Sequence, residues 1–419
     1  MQAGEIPGMN DIRGGLRLGY FTNTYPRATD TFIQREIRGL RQRGFDVRTF
    51  SVRQSGADHD VSPEIRAERQ NTVYVLPVKP FHLLLLNLAS LLTAPGRYFA
   101  TLNLARKTAQ PGWRGLLWQF FYFQEAIVLA SELRRAEIGH LHNHLGDSCG
   151  NVTLLACKLA AVGYSITFHG PHIFFDPTHW ALREKLKHSR FTVCISHFCR
   201  SQMMLFTDQK DWERLAIVHC GVAPEQYDFV EPRAGAGKLL YVGRLAVEKG
   251  LPVLFDSLGM LRADGYDFEL TLVGDGPDRL ALQDMAQRMG IADRVVFAGY
   301  ASQVGVREFL RQSDIFILPS FAEGVPVSLM EAMACGVPVI ATYVGGVVEL
   351  VQDGATGQVV YPGDPTSLKH AIVRYLDNTA LREHVSRQGR DKVVADFNLD
   401  LEIDKLAALF REHMDGKSA

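Results

Sequence analysis

Short apolar segments that alternate with helical patterns recur in two successive series along this 419-residue chain. The first series lies at residues 16–21, 47–52, 138–142, 165–169, 191–195 and 216–219. The second series lies at residues 238–242, 269–273, 295–297, 315–318 and 337–341. This alternation is typical of parallel sheets covered by helices. The sequence therefore predicts an α/β fold with two doubly wound, Rossmann-like domains.

A polar segment containing Pro232, Gly235 and Gly237 separates the two series. Such linkers commonly mark domain boundaries, and a chain of this length exceeds what one hydrophobic core usually supports. We place the first domain at residues 1–232 and the second at residues 233–396. The remaining segment, 397–419, has a helical pattern over most of its length.

Composition and charge narrow the function classes. Charged residues make up 22% of the chain and the net charge is −1, which argues against disorder and against nucleic acid as the main partner. The first half is basic, because residues 1–232 carry 26 Lys and Arg against 21 Asp and Glu. The six cysteines form no C-x-x-C pair, and the N-terminus has no apolar leader. These features predict a cytoplasmic protein with buried, reduced cysteines.

Two apolar stretches are long enough to need comparison with membrane segments. Residues 81–92 number only 12, and residues 116–130 are interrupted by Gln119, Gln124 and Glu125. Neither is therefore predicted to span a bilayer. Both are predicted to be helices of the first domain.

The strongest local pattern is the run that begins at Glu323. This carboxylate lies in the loop after a predicted strand and Glu331 lies in the next helix, at the edge where open α/β sheets bind ligands. A carboxylate can accept hydrogen bonds from adjacent sugar hydroxyls, and the amides of Val327 and Ser328 can receive a phosphate. Taken as two acids alone, the pattern favours a structural role, since Glu in a first turn complements the helix dipole.

The whole run resembles the E-x7-E signature of retaining glycosyltransferase family 4, which has the two-domain GT-B fold. Further matching segments follow in the family's order and spacing: Tyr241-Val-Gly243-Arg244, Glu248-Lys249-Gly250, Leu272-Val-Gly-Asp-Gly-Pro277, Phe297-Ala-Gly-Tyr300, Pro319-Ser320 and Gly345-Gly346. The resemblance is specific over residues 238–365 and looser over 16–230. It implies a metal-independent, retaining enzyme whose two domains face a central cleft. It also implies that the helix in 397–419 packs back on the first domain.

The resemblance assigns catalytic contacts to the matching residues. It implies that Glu323 holds hydroxyls of the donor sugar, that Glu331 holds the ribose hydroxyls, and that His169 lies beside the anomeric carbon. Arg244 and Lys249 are implied to bind the diphosphate, whose negative charge grows as the glycosidic bond breaks. The other residues expected on the donor side are Gly243, Gly324, Val325, Val327, Ser328, Gly299 and Tyr300.

The acceptor side is less sharply defined. The loop after the first strand lacks the Gly-rich sequence of many family members, and its segment from Thr31 resembles exopolysaccharide transferases, including those of colanic acid assembly. His142 and His144 match an H-x-H segment that lines the acceptor side in similar transferases. With His140 they also alternate on one strand face as metal ligands can. No acid or Cys cluster completes a zinc set in the sequence, so no metal is predicted there.

A metal-dependent transferase would instead carry an Asp-x-Asp motif directly after a strand. Asp58-His59-Asp60 is the only such match, and it follows a polar stretch rather than an apolar strand. It is therefore predicted to be an exposed loop, and the enzyme is expected to need no cofactor.

The basic residues of the first half have two interpretations. Seven Arg lie between residues 27 and 53, and Arg97, Arg106, Lys107 and Arg114 accompany the apolar stretch 81–123. These residues could form a surface that rests on the anionic inner face of the cytoplasmic membrane and reaches a lipid-linked glycan. They could equally be solvated helix faces beside ordinary core aromatics.

Together these patterns predict a hexosyltransferase that uses a UDP- or GDP-linked sugar. Its acceptor is predicted to be a growing, lipid-linked exopolysaccharide or related glycan. Two alternatives are a sugar-nucleotide 2-epimerase of the same fold and a catalytically silent sugar-nucleotide-binding subunit of a polysaccharide assembly complex. The basic first half argues against the epimerase, and the complete set of predicted catalytic residues argues against the silent subunit.

Overall fold

The structure is a computed structural model, and it describes residues 17–27, 31–56, 62–170, 172–233, 235 and 237–414. Within this part of the chain, strands and helices alternate in two series, as the sequence predicts. The strands form two separate sheets, one of seven strands and one of six.

The seven-stranded sheet has the order β3-β2-β1-β4-β5-β6-β7. Its strands are β1 Arg17–Thr24, β2 Val47–Arg53, β3 Val73–Tyr74, β4 Ile138–His144, β5 Gly163–Phe168, β6 Thr192–Cys194 and β7 Leu215–Ile217. The pairings from β3 through β5 are parallel. The order reverses direction between β1 and β4, which is the doubly wound arrangement.

The six-stranded sheet has the order β10-β9-β8-β11-β12-β13, and all its pairings are parallel. Its strands are β8 Lys238–Val242, β9 Glu269–Val273, β10 Val295–Gly299, β11 Ile315–Leu318, β12 Val339–Thr342 and β13 Gln358–Val360. Leu240, Leu272, Ile317 and Ile340 on the four central strands are fully buried. Burial on both faces explains why these strands are continuous apolar runs.

Helices connect the strands. In the first series they are α1 Thr31–Gln42, α2 Pro63–Asn71, α3 Pro80–Thr93, α4 Pro95–Lys107, α5 Trp113–Arg135, α6 Ser148–Ala160, α7 His172–Phe175, α8 Leu182–His188 and α9 His197–Met204. In the second series they are α10 Leu251–Ala263, α11 Arg279–Arg288, α12 Gln303–Gln312, α13 Val327–Ala334, α14 Val347–Leu350, α15 Pro365–Asp377, α16 Thr379–Asp396 and α17 Leu399–Met414.

The eleven predicted strand segments all coincide with strands, whereas β3 and β13 were not predicted. Both are short, with two and three residues, and both lie at a sheet edge. All six cysteines are free, as predicted. Five of them are buried, as predicted, and Cys220 is half-buried.

Contacts divide the described chain into two units. The first comprises residues 17–167, 177–192 and 407–414, and the second comprises residues 168–176 and 193–406. Residues 193–232, which the sequence analysis places in the first domain, thus have most of their contacts in the second unit. One reason is that Val222 exchanges backbone hydrogen bonds with Phe397 and Leu399 at the start of α17. The end of α17 belongs to the first unit, where Phe410 packs against Tyr20 and His142.

Of the two interpretations of this region, ordinary core aromatics do not fit helices α3, α4 and α5. Many of their large apolar side chains are exposed, including Phe81, Leu92 and Trp113. Among the described residues no single helix is long and apolar enough to cross a membrane, and only α3 and α4 taken together pass that test, with a bend of 116° between them.

Candidate active site

The second sheet reverses its order between β8 and β11, and the predicted donor residues follow these two strands. Arg244 comes two residues after β8, and Glu323 comes five residues after β11. The carboxyl ends of neighbouring strands at such a reversal form the crevice where open α/β sheets bind ligands. The topology therefore brings Arg244 and Glu323 to the same sheet edge, as the sequence predicts.

Glu323 lies at the centre of a small buried network. Its carboxylate Oε1 accepts a hydrogen bond from Lys249 Nζ at 2.7 Å and another from Ser320 Oγ at 2.6 Å. Thr342 Oγ1 donates to the Ser320 carbonyl oxygen at 2.5 Å and so holds the loop from the next strand. Glu323 is only 8% exposed. One carboxylate oxygen is thus fixed by the protein, which orients the group toward whatever occupies the crevice.

Glycines allow the surrounding loops to approach Glu323 closely. Gly345 has φ +51°, and a Cβ there would lie 1.9 Å from the Glu323 carbonyl oxygen. Gly346 N donates to the Gly324 carbonyl at 2.9 Å. Gly250, which follows Lys249, has φ +64°, and a Cβ there would lie 2.1 Å from the Pro319 carbonyl oxygen. Only glycine fits such left-handed, close-packed positions, which explains these residues of the sequence pattern.

His169 belongs to the same unit as Glu323 and lies next to its loop. A Cβ on Gly324 would lie 2.2 Å from the His169 carbonyl oxygen, so the two backbones are in direct contact. His169 Nδ1 also lies 3.5 Å from Cys220 Sγ. The structure therefore brings together His169 and the loop of Glu323, although about 150 residues separate them in sequence. Cys220 was not predicted as a neighbour, because no pattern links it to His169.

Arg244 presents its side chain to solvent at the sheet edge. Its guanidinium makes no hydrogen bond or ion pair with other residues in the described part of the chain, whereas its carbonyl accepts from Tyr241 Oη at 2.7 Å. Burial, with the charge of Glu323 next, raises the pKa of the Tyr241 phenol, which stays protonated and donates. A Cβ on Gly243 would lie 2.8 Å from that hydroxyl, so a larger residue there would displace the Tyr241 hydroxyl.

Glu331 is held by a residue that the sequence analysis missed. Its carboxylate Oε1 accepts a hydrogen bond from Tyr227 Oη at 2.8 Å, and both residues are buried. Tyr227 precedes the second series of strands by about ten residues, so no motif marks it. The predicted amides of Val327 and Ser328 open α13, and Pro326 before them supplies no side-chain cap. Val325 is buried beneath this turn.

The predicted base-side residues lie at the end of β10. Gly299 has φ +75°, and its carbonyl accepts from Gly274 N at 2.7 Å. Tyr300 follows it and is 75% exposed. Its ring is therefore available for stacking against a flat ligand.

The predicted acceptor-side histidines lie inside the first unit. His142 and His144 are fully buried, and His140 is nearly so. Ser165 Oγ lies 2.8 Å from both His140 Nε2 and His142 Nδ1, and Thr167 Oγ1 lies 2.9 Å from His142 Nε2. These contacts attach β4 to β5. The rings share one strand face, as predicted, but they do not line a surface; their role toward an acceptor stays a prediction.

Glu36 completes a cluster with two of these histidines. His144 Nε2 lies 2.9 Å from Glu36 Oε1, which also accepts from Tyr20 Oη at 2.6 Å. One ligand atom each of Glu36, His142 and His144 lies within 4.8 Å of the others, close enough to surround a metal ion. The sequence analysis found no acid to complete this set, because Glu36 lies on α1 about 100 residues away. Each ligand atom is already hydrogen-bonded within the protein, which accounts for the cluster without a metal.

Two further predictions concern the N-terminal part of the chain. Thr31 is the first residue of α1 and is half-buried. Asp58-His59-Asp60 lies outside the described residues.

The chain forms two α/β units with parallel sheets. In the second unit the predicted donor residues lie where the strand order reverses. This architecture is the GT-B fold known from glycosyltransferases. Residues 225–392 match the family model of glycosyl transferases group 1, so this segment is a domain of that family. It contains the crevice with Arg244, Lys249, Glu323 and Glu331.

Relatives are similar to this chain in sequence, and solved structures are similar to it in fold. The chain is 33% identical to alpha-D-kanosaminyltransferase of Streptomyces kanamyceticus over 42% of this chain and 45% of that protein. It is 26% identical to a putative colanic acid biosynthesis glycosyltransferase of Escherichia coli over 94% of this chain and all of that protein. Anabaena HepE in complex with UDP-glucose has a similar fold, with a TM-score of 0.73 and 17% identity over 95% of this chain and all of that chain. The chain spans about half the length of the first relatives it matches.

Proposed function

We propose that this protein is a glycosyltransferase that moves a hexosyl group from a nucleotide sugar to a glycan of exopolysaccharide biosynthesis. The main observation behind this proposal is the network in which Lys249 and Ser320 hold the carboxylate of Glu323 at the sheet reversal. The exposed Arg244 follows the neighbouring strand at the same sheet edge. Relatives named for colanic acid and amylovoran biosynthesis support the glycan class. The similar fold of a protein solved with UDP and UDP-glucose supports the nucleotide-sugar donor.

In the proposed reaction the bond between the anomeric carbon and the diphosphate oxygen breaks, and an acceptor hydroxyl bonds to that carbon. The leaving diphosphate gains negative charge, which Arg244 and Lys249 neutralise. The α13 amides receive a phosphate, as helix starts commonly do. The acceptor hydroxyl passes its proton to the leaving diphosphate oxygen as the new bond forms, and the nucleoside diphosphate leaves as the second product. Retention of configuration and membership of family 4 are proposed on the resemblance of the E-x7-E run.

Glu323 and Glu331 have separate proposed roles. Glu323 keeps one oxygen free of protein donors in the described network, and that oxygen accepts hydroxyls of the donor sugar. Glu331, fixed by Tyr227, accepts the ribose hydroxyls. His169 lies beside the reacting carbon and stabilises its developing positive charge. Arg244 and Lys249 take the place of a metal at the diphosphate, so we propose that the enzyme is metal-independent.

The proposed acceptor is lipid-linked, and the proposed location is the cytoplasm, at the inner face of the cytoplasmic membrane. The basic first half of the chain supports this location through attraction to anionic lipid headgroups. A lipid-linked glycan at that surface would meet an enzyme that also has access to soluble nucleotide sugars.

The test is a panel of UDP-, GDP- and ADP-sugars incubated with the purified protein in EDTA, with release of nucleoside diphosphate as the readout. We expect release from one donor, and we expect Glu323→Gln to lower it by about 100-fold, as loss of a transition-state contact does. Glu308→Gln is the matched control, because Glu308 is an exposed carboxylate on α12.

Three outcomes would contradict parts of the proposal. Binding of a donor without any release, with or without a glycan acceptor, would indicate a sugar-nucleotide-binding subunit. Conversion of the donor to its C2 epimer would indicate the epimerase. Release that EDTA abolishes and a divalent ion restores would contradict metal independence and direct attention to Glu36, His142 and His144.

A further inference from the structure

Helices α3, α4 and α5 carry 13 of the 26 large apolar side chains that the described chain exposes. We use "the α3–α5 face" for their exposed large apolar side chains, which are Phe81, Leu84, Leu85, Leu88, Leu92, Phe99, Leu102, Trp113, Leu116, Leu117, Trp118, Phe120 and Phe121. Phe81 is 72% exposed, Leu92 79% and Trp113 69%. A contiguous apolar surface of this kind marks a site of interaction, since isolated proteins in water rarely present one.

The spacing of these residues is helical, but the stripe faces outward. Positions 81, 84, 85, 88 and 92 fall on one side of α3, and positions 113, 116, 117, 120 and 121 fall on one side of α5. In a core-facing helix the same spacing would place these side chains inside. Here the only buried residue of α3 is Ser90.

Polar side chains of the three helices form hydrogen bonds with one another, whereas the buried residues of α5 are mostly apolar. Asn87 Nδ2 on α3 donates to Gln124 Oε1 on α5 at 2.8 Å, and Tyr98 Oη on α4 donates to Asn87 Oδ1 at 3.1 Å. Gln119 on α5 is buried and donates to Thr108 Oγ1 at 2.7 Å. Hydrogen-bonded polar groups between helices and apolar groups outside are the arrangement expected where helices face hydrocarbon.

The charge of this region is entirely positive. No Asp or Glu occurs from residue 79 to residue 124, whereas the same stretch carries the exposed cations Lys79, Arg97, Arg106, Lys107 and Arg114. None of these five forms an ion pair within the described part of the chain. By contrast, Arg41 and Arg48 of the other basic stretch are paired with Glu68 and Asp46. Unpaired cations around an apolar surface complement an anionic membrane leaflet.

The dimensions favour insertion parallel to the membrane plane. Helix α3 has 14 residues and is therefore about 21 Å long, whereas a bilayer core is about 30 Å thick. Helices α3 and α4 meet at 116°, so together they do not form a straight span. An apolar face on short helices with cations at its border is suited to the interface between headgroups and acyl chains.

A groove between α4 and α5 opens on this face. Its volume is about 420 Å³, and Phe99, Leu102, Leu116, Phe120 and Phe123 line it together with Arg106. The apolar walls fit a hydrocarbon chain, and a guanidinium at the wall fits the phosphate of a lipid headgroup.

We propose that the α3–α5 face inserts into the headgroup and upper acyl region of an anionic bilayer leaflet, with one phospholipid acyl chain in the α4–α5 groove. This proposal rests on the proposed function in one respect: the face is the surface by which the enzyme would reach a membrane-bound acceptor. The five cations hold the headgroups, and the stripes of α3 and α5 enter the hydrocarbon. No span of the bilayer is involved.

The first experiment is vesicle flotation with the full chain, using phosphatidylcholine vesicles with and without phosphatidylglycerol. We expect the protein to float with anionic vesicles at low salt and less at high salt. Leu88→Glu and Phe120→Glu should each lower the floating fraction by at least about tenfold, because a charge in the apolar interface is costly. Leu280→Glu is the matched control, since Leu280 on α11 is 74% exposed but lies outside the face.

A second measurement reports depth and does not depend on the Glu variants folding. The chain has four Trp, of which Trp113 and Trp118 lie on the face and Trp180 and Trp212 do not. We expect acyl-brominated lipids to quench wild-type fluorescence and to have little effect on Trp113→Phe/Trp118→Phe. Equal quenching of both proteins would overturn the insertion.

Other occupants of the face predict different results. A second copy of the chain would give a dimer in lipid-free sedimentation that Leu88→Glu converts to a monomer, with no flotation; that result would overturn membrane insertion. Failure to float under any of these conditions would point to a protein partner and would also overturn it. Nucleoside diphosphate release, measured without lipid, separates the two proposals: flotation without release contradicts the proposed reaction alone, and release without flotation contradicts the insertion alone.

Discussion

The position of the Glu323 carboxylate depends on hydrogen bonds from two neighbouring residues. Lys249 and Ser320 donate to the same oxygen, so the protein fixes the carboxylate while the group stays at the crevice edge. Lys249 therefore has two functions in the proposed mechanism. It orients Glu323, and it supplies positive charge near the leaving diphosphate.

Removal of this ammonium gives the first prediction. We expect Lys249→Met to lower turnover of the nucleotide sugar by about 100-fold or more, because both the orientation of Glu323 and the charge on the leaving group are affected. Steady-state release of nucleoside diphosphate measures this. Lys369→Met, which removes a surface ion pair with Asp264, is the control. Unchanged turnover in Lys249→Met would remove this lysine from the mechanism.

Tyr227 gives a prediction of a different kind. It touches Glu331 rather than the reacting atoms, so it is a positioning residue. Tyr227→Phe leaves a buried carboxylate without one donor, which costs about 1–3 kcal/mol. Since ribose contacts act equally on bound donor and transition state, we expect KM for the donor to rise about tenfold with kcat nearly unchanged. A fall in kcat at constant KM would contradict the ribose role of Glu331.

At the scale of elements, the loops at the carboxyl ends of β8, β11 and β12 form the candidate site. Two of these loops meet because glycines lack a side chain, above all where Gly345 packs on the Glu323 carbonyl. The distance between the loops after β11 and β12 therefore depends both on backbone packing and on side-chain hydrogen bonds.

Alanine at Gly345 tests this packing. Gly345 has φ +51° with no room for a Cβ, whereas Gly354 has φ +73° with nothing within 4 Å. Both alanine variants should lose about 1 kcal/mol of stability from the left-handed backbone. Only Gly345→Ala should also displace Glu323 and lower nucleoside diphosphate release, by about tenfold or more. Equal activity in the two folded variants would show that the loop contact is dispensable.

The end of α17 provides another prediction at this scale. Phe410 is fully buried, and its ring lies within 5.2 to 6.4 Å of the rings of His142, Phe191, His140 and Tyr20. Phe410→Ala should destabilise the first unit by about 3–5 kcal/mol, as truncation of a buried Phe does. Urea unfolding measures this, with exposed Leu401→Ala on the same helix as the control. A loss equal to that of the control would mean that the C-terminal residues do not contribute to this core.

At the scale of the whole molecule, buried ionisable groups couple stability to pH. Burial, with smaller contributions from Arg190 and His413, lowers the pKa of His140 to about 3. An unfolded His titrates near 6.5, so between pH 6.5 and pH 3 the unfolded chain binds a proton that the folded chain does not. His140 therefore destabilises the fold progressively as pH falls through this window.

The lowered pKa of His140 predicts how the stability of the protein changes with pH. At pH 5 the wild type should have lost about 2 kcal/mol through His140 relative to pH 7. His140→Gln should lack that part of the pH dependence. Because other groups titrate in both proteins, the difference between their urea unfolding curves at pH 7 and pH 5 isolates the contribution of His140. Parallel loss in both proteins would mean that His140 is not buried as described.

The sequence by itself determined eleven of the thirteen strands, the two parallel α/β series and the residues that follow the strands at the candidate donor site. It could do so because buried parallel strands leave continuous apolar runs, and because loops at their carboxyl ends need glycines and carboxylates at fixed local spacing. Arg244, Lys249, Glu323 and Glu331 all lie within such local patterns. The short edge strands β3 and β13 were missed.

Only the tertiary structure decided which distant residues meet and which side chains face outward. Tyr227 on Glu331, Cys220 beside His169 and Glu36 among the histidines are contacts across long stretches of chain, and no local period encodes them. The stripes of α3 and α5 have the spacing of core-facing helices, so sequence could not tell inside from outside. In the structure Asn87 and Gln124 pair between α3 and α5, and the apolar stripes of both helices are exposed.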